Sequence, residues 1–359
     1  MDRQKHVMRF DGYQTIKVLA TLAIAGAGGL LASALSLPVA WLLGPMVAVA
    51  VASATGLDTR LPNALSQVAF FVLGVQAGSG VTPDVVGQIA IWPFSFAIQM
   101  VGVCLITLAT YAYLHFGLKW NHETSLFASL PGALAFVVAA AEDTRTDMQR
   151  MLIVQTARLL LLIGALTPFL GWLEGGGATE AATRGEPGSP SQYALLFAVS
   201  LVAALLGRML RIPGGLMLGA LIGSAAIHAS GVSEVAVPSA IALPCLVLLG
   251  TLIGSRLYGI ERKALLSLMP ISIVCFLIGI AFSALAGLLA VLTLPLEPGK
   301  VALAYSPGAL EALTVLAFQF DIDPAYVAAH HVVRFMGIAL IVPFLASRVK
   351  RRRARLEDQ

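Results

Sequence analysis

Ser129-Leu130-Pro131-Gly132-Ala133-Leu134 and Tyr305-Ser306-Pro307-Gly308-Ala309-Leu310 stand 176 residues apart and share Pro-Gly-Ala-Leu unchanged. The same offset relates Asp147 to Asp323 and Arg158 to Arg334. Further upstream, Pro38…Leu43-Gly44 is matched by Pro213…Leu218-Gly219, and Leu73-Gly74…Gly78-Ser79 by Leu249-Gly250…Gly254-Ser255. Gapless agreement over so long a distance marks a duplication. The spacing divides the chain into a first repeat over 1–173, a linker over 174–192, a second repeat over 193–347 and a basic tail over 348–359. The linker, Glu174-Gly175-Gly176-Gly177 and onward, has no periodicity and reads as flexible.

Both repeats belong in a bilayer. Of the 359 residues, 58% are hydrophobic and 12% charged, against about 25% charged in a soluble domain. A mean hydropathy of +0.86 leaves too little polar surface to clothe a water-soluble particle. Twelve apolar segments can be cut, at 16–35, 38–55, 62–79, 85–115, 123–141 and 148–173, then at 193–210, 213–230, 237–254, 265–293, 301–320 and 325–347. Arg3, Lys5, Arg9 and Lys17 ahead of the first run imitate a signal peptide, with Ala32-Ser33-Ala34 as its cleavage site. The run has a counterpart in mid-chain, so it reads as an uncleaved first span.

Charge decides how the segments cross. Proline in mid-span removes an N–H and clashes with the preceding turn, and glycine relaxes the backbone, so segments 123–141 and 301–320 are expected to break or re-enter. If both re-enter, each repeat has five crossings and the second is inverted. With the N-terminus in the cytoplasm, 19 lysines and arginines then lie inside and only Arg184 and Lys300 outside; twelve plain crossings give 14 and 7. The positive-inside rule prefers the inverted arrangement. It predicts an all-α, polytopic protein of the bacterial inner membrane with both termini cytoplasmic. The cluster from Arg348 to Arg355 then anchors a cytoplasmic tail at the membrane surface, and nucleic acid is not expected as a partner.

Ionisable groups inside a bilayer are costly and tend to be functional. Gln155 and Arg158 lie at i and i+3 on one helix face; His331 and Arg334 take the matching places in the second repeat. Each arginine sits near the middle of its segment, out of easy reach of either interface. Two roles stay open for them: a clamp on the carbonyl ends of a broken helix, or a ligand for an anion. Breaks at Pro131-Gly132 and Pro307-Gly308 would expose N–H groups that also favour an anion, and paired breaks point to a transporter's central site. The repeats differ at Glu311, which stands where the first has Ala135, and at His331, which stands where it has Gln155. Glu311 and His331 could carry a coupling proton or bind sodium. Asp323 joins the candidate set, although it could simply cap the helix that follows, the reading preferred for Asp147. His330 lies about 100° round the helix from His331.

Enzymatic motifs do not accompany these residues. The sequence has no P-loop, no GxSxG and no HExxH, and its six histidines lack ligand spacing, so no metal or other cofactor is predicted. Cys104, Cys245 and Cys275 sit in apolar stretches and read as small hydrophobes.

In Leu37-Pro38…Met46, Val72–Gly80, the SLPGAL…DMQ…VQTAR run of 129–158 and the SPGALE…DID…HHVVR run of 306–334, the chain resembles the AbrB duplication family of membrane proteins. The resemblance covers nearly the whole chain; its long Gly/Pro linker is a departure. That family is distinct from the small soluble DNA-binding protein of the same name. The resemblance implies two family labels, regulator of aidB expression and ammonia monooxygenase. The residues themselves point to a secondary transporter of a small, anionic solute. A membrane regulator of gene expression is the alternative, and a monooxygenase is disfavoured by the missing metal ligands.

Overall fold

The computed structural model describes residues 12–81, 89–132, 134–142, 144–173, 188–232 and 235–357, and among these each repeat contains seven α-helices. The first repeat contains α1 (Gly12–Ala34), α2 (Ala40–Ala54), α3 (Asn63–Gly78), α4 (Trp92–Ala112), α5 (His122–Ser129), α6 (Leu134–Ala141) and α7 (Met148–Leu173). The second contains α8 (Pro190–Met209), α9 (Gly215–Ala229), α10 (Ser239–Gly254), α11 (Arg262–Thr293), α12 (Pro298–Tyr305), α13 (Leu310–Gln319) and α14 (Pro324–Glu357). No strand occurs among the described residues. Among the described residues seven helices are long and apolar enough to cross a bilayer, as befits a multi-pass membrane protein. Leu30, Leu108, Leu205, Leu288 and Leu340 face outward from it, as lipid-facing side chains must.

The segments around the two Pro-Gly pairs are re-entrant hairpins, not spans. Asn121 caps α5 through a 2.6 Å bond from the Thr124 N–H, and its side-chain amide donates to the Arg145 carbonyl. Thr124 Oγ1 accepts from the Asp147 N–H at 2.8 Å. The chain therefore comes back, after α6, to the level at which α5 began. From there α7 runs alongside α5: Gln155 donates to the Phe127 carbonyl and Arg158 to that of Leu130. The second repeat repeats the device. Lys300, at the start of α12, pairs with Asp323 at the start of α14 at 2.8 Å, and Arg334 reaches the carbonyls of Ser306 and Gly308 at the far end of α12.

Helix directions follow from glycine contacts. A Cβ on Gly28 would strike Gly44 and Ala48, and one on Gly44 would strike Ala32, so α1 and α2 are antiparallel. Gly74 meets Met217 and Ala220 while Gly78 meets Leu221 and Ser224, so α3 runs parallel to α9. Gly250 meets Leu42 and Gly254 meets Met46, so α10 runs parallel to α2. Gly207 meets Gly215 and Gly223 meets Ser200, which makes α8 and α9 antiparallel. If α1 leaves what we term the first face, α2 returns to it, α3 and α9 leave it, and α8 returns. Thus α8 opposes its mate α1, and the repeats are inverted. Close backbone approach explains why Gly74, Gly78, Gly250 and Gly254 recur at the one offset: helices in lipid associate through small residues.

Several boundaries differ from those expected. The segment at 85–115 becomes a helix from Trp92 that ends in a π turn, Tyr113–Gly117. Segments 123–141 and 301–320 split into two short helices each. With 15, 16 and 15 residues, α2, α3 and α9 are shorter than a full span and lie largely within the bundle. The tail at 348–359 does not begin as a separate element, since the backbone of α14 continues to Glu357. Residues 174–187 of the linker and the basic residues at 3–9 lie outside the described residues.

Candidate functional site

The two hairpins enter from opposite faces and their tips meet in the middle of the bundle. A cavity of about 200 Å³ separates them, walled by Gly132, Gln155, Arg158, Arg256, Glu311 and Arg334, with the Pro307-Gly308 backbone and His331 completing it.

Each arginine holds its own hairpin tip. Arg334 donates to the Ser306 carbonyl at 2.5 Å and to that of Gly308 at 2.6 Å. Arg158 donates through Nη2 to the Leu130 carbonyl at 3.0 Å, and its Nη1 is buried without a hydrogen-bond partner. Leu130 and Ser306 are repeat mates at the 176 offset, so the clamp is duplicated. The residues are only 2% and 3% exposed, and neither guanidinium has a carboxylate in salt-bridge contact among the described residues. Carbonyls hold both groups, as the clamp role requires.

Gln155 and His331 occupy equivalent positions. Gln155 donates to the Phe127 carbonyl at 2.9 Å. His331 faces the matching Leu303 carbonyl but makes no hydrogen bond of ordinary length, and it is 1% exposed. Glu311 lies in the first turn of α13, where the helix dipole favours a negative charge. Its carboxylate reaches toward Gly214 and shares the cavity with Arg256.

The Pro-Gly pairs differ in what they face. Gly132 has φ +92°, a conformation that favours glycine, and a Cβ there would lie 3.6 Å from Arg334 Nη2. A Cβ on Gly308 would collide with Leu162 and Leu313 at 2.6 Å, so this glycine is fixed by packing.

Asp323 is not brought to the cavity. Its Oδ1 caps α14, accepting from the Ala325 and Tyr326 N–H groups, and its Oδ2 pairs with Lys300 at the face opposite the first. Asp147 likewise caps α7 and pairs with Arg150. His330 points away from His331, to Ser95 Oγ at 2.8 Å and the Tyr326 carbonyl. Among the described residues no group of three or more His, Cys, Asp or Glu could hold a metal.

Arg256 was missed, having been counted as a loop charge. The signal that finds it is the same offset: its mate is Gly80, as Ala135 is the mate of Glu311 and Gln155 of His331. Arg256, Glu311 and His331, ionisable groups that the first repeat lacks at the matching positions, line one cavity. A second cavity, of about 300 Å³, continues from Glu311 past Gly214 to Gln67 and Arg208, at the first face. A larger one, of about 620 Å³ among α7, α11 and α12, has an almost wholly apolar wall that offers a charged solute nothing.

Comparison with known proteins agrees with this duplicated architecture. A family model described as "Transition state regulatory protein AbrB" matches residues 2–81 and 41–350. A protein of Escherichia coli (strain K12) named "Putative regulator AbrB" is 27% identical over 87% of this chain and 90% of its own length. The Bacillus subtilis (strain 168) protein "Uncharacterized protein YhjN" is 24% identical over 92% of both. With a family match spanning nearly all of its length and both of its hairpins, the chain belongs to the AbrB family.

Proposed function

We propose that this protein is a secondary transporter that moves a small anion across the bacterial inner membrane through the cavity between its hairpin tips. The observation that carries the reading is the unpartnered, buried Arg158 Nη1 on a cavity wall that also holds Arg334. A buried guanidinium is stable only with its donors satisfied and its charge balanced, and an anion between the tips would do both. The inverted arrangement supports alternating access, because two hairpins from opposite faces can take turns in closing one site.

The positive-inside rule supports reading the first face, where Lys17, Arg60, Arg208 and Arg211 gather, as the cytoplasmic one, with the start of α1 and the end of α14 on it. The cavity leading past Gly214 then opens inward. Glu311 and His331 are the groups that would carry a coupling proton or coordinate sodium.

Uptake of labelled small carboxylates into proteoliposomes tests the proposal. Wild-type protein should accumulate at least one of them, and Arg158→Gln should not. Absence of uptake for every anion, at every pH and with or without sodium, would overturn it.

The name of the E. coli relative favours a second reading, membrane regulator. Deleting residues 349–359 separates the two: a transporter keeps its uptake, whereas a regulator acting through the basic tail loses its effect on transcript levels.

A further inference from the structure

Three guanidiniums and one carboxylate line the cavity, so two positive charges are left over. They are not gathered at one point. Arg158 and Arg334 are fastened to the hairpin tips by the Leu130, Ser306 and Gly308 carbonyls. Arg256 comes from the short 3-10 turn Ser255–Leu257 that ends α10, and lines the cavity together with Glu311. The volume of about 200 Å³ lies below that of drug-sized pockets and suits a solute of a few carbons.

From this arrangement we infer that the solute is a two-ended dianion of the short dicarboxylate class, with one carboxylate at Arg158 and Arg334 and the other at Arg256. The inference rests on the anion-transport reading and deepens it. One end of the solute satisfies the free Nη1 of Arg158. The other is held by Arg256. Arg208, further along the passage from the first face, adds positive potential that guides a dianion inward. Arg256 thus sets specificity by charge count, a role the first repeat cannot share because its equivalent is Gly80.

Thermal unfolding of the purified full-length protein, titrated at matched ionic strength with succinate, butyrate and sulfate, tests this. Succinate should bind about tenfold more tightly than butyrate, the difference expected for one added charge-assisted contact. Sulfate, compact and unable to reach both ends, should bind more weakly than succinate. Arg256→Gln should weaken succinate far more than butyrate and bring the two affinities together, whereas Arg256→Lys should keep much of the preference. Equal binding of succinate and butyrate by the wild type, or tightest binding of sulfate, would overturn the dicarboxylate inference while leaving an anion site in place. Equal weakening of both carboxylates in Arg256→Gln would also overturn it. If no anion stabilises the wild type, the anion-transport reading fails with it. The wild-type series decides the matter even if Arg256→Gln does not fold.

Discussion

Gly132 of the first hairpin and Arg334 of the second repeat face each other across the molecular centre, with the position of a Gly132 Cβ 3.6 Å from Arg334 Nη2. The arginine that holds one hairpin tip is thus also a wall for the other. Alanine at 132 would bring a methyl group into van der Waals contact with the guanidinium and force a side chain into φ +92°. The backbone cost is about 1–2 kcal/mol. Gly132→Ala should therefore still insert in the membrane, with a lower melting temperature and weakened anion binding. Unchanged binding in a fully stable variant would show that the tip tolerates a side chain. Gly308→Leu is a poorer probe of function, because its side chain would meet Leu162 and Leu313, and failure to accumulate is its expected outcome.

The two arginines should respond differently to lysine. Arg334 spans two carbonyls of its hairpin, and an ammonium cannot reproduce that fork. Loss of one charge-assisted bond costs about 1.5–3 kcal/mol, so Arg334→Lys should lower thermal stability. Arg158 makes one such bond and keeps Nη1 free. Arg158→Lys should spare stability and weaken anion binding. Comparison of melting temperature and anion affinity in both variants checks this, and the opposite ranking would reverse the assignment of clamp and ligand.

Much of this architecture is legible in the sequence, and for a physical reason. Gly74, Gly78, Gly250 and Gly254 recur because helices in lipid approach only through small residues, so the duplication leaves a visible spacing. Pro131 and Pro307 mark the breaks, and the lysine and arginine counts favour the inverted crossing parity. A clamp by Arg158 and Arg334 on the carbonyls of a broken helix is one of the two roles the sequence allows; which carbonyls they take is not legible, because main-chain carbonyls are present at every position. Arg256 escaped notice beside Arg262 and Lys263 because charges near a segment end look alike until the packing of α10 shows which one lines the cavity. The capping role of Asp323 was legible; its pairing with Lys300, across an entire hairpin, was not.

Hairpin topology predicts which residues share a face. In a background lacking Cys104, Cys245 and Cys275, single cysteines at Lys119 and Glu142, which flank the first hairpin, should label from the same face as one at Glu261. One at Glu297 should label from the other face. Labelling of 119 and 142 from opposite faces would turn the hairpin into a crossing and abolish the inversion.

At the first face, Asp58 ties the start of α1 to the loop before α3, pairing with Arg60 at 3.0 Å and Lys17 at 2.7 Å. The hydrogen bonds from Arg60 and then Lys17 hold its carboxyl well below the ordinary 3.8. Stability from a depressed carboxylate is complete above the ordinary value and is lost as pH falls through the folded one. Asp58→Asn should therefore melt below the wild type at neutral pH, with the gap narrowing only below about pH 4. A gap that did not vary with pH would mean that packing, not charge, accounts for the effect.

The central claim, an anion site between the hairpin tips open to one face, is tested most directly by protection of a cysteine within it. Leu134 lies on the cavity wall at the start of α6. In the cysteine-free background, Leu134→Cys should react with a charged methanethiosulfonate applied from the first face. A bound dicarboxylate should slow that reaction, and the slowing should vanish when Arg158→Gln is added. Reaction that is indifferent to every anion, or protection that survives loss of Arg158, would contradict the account.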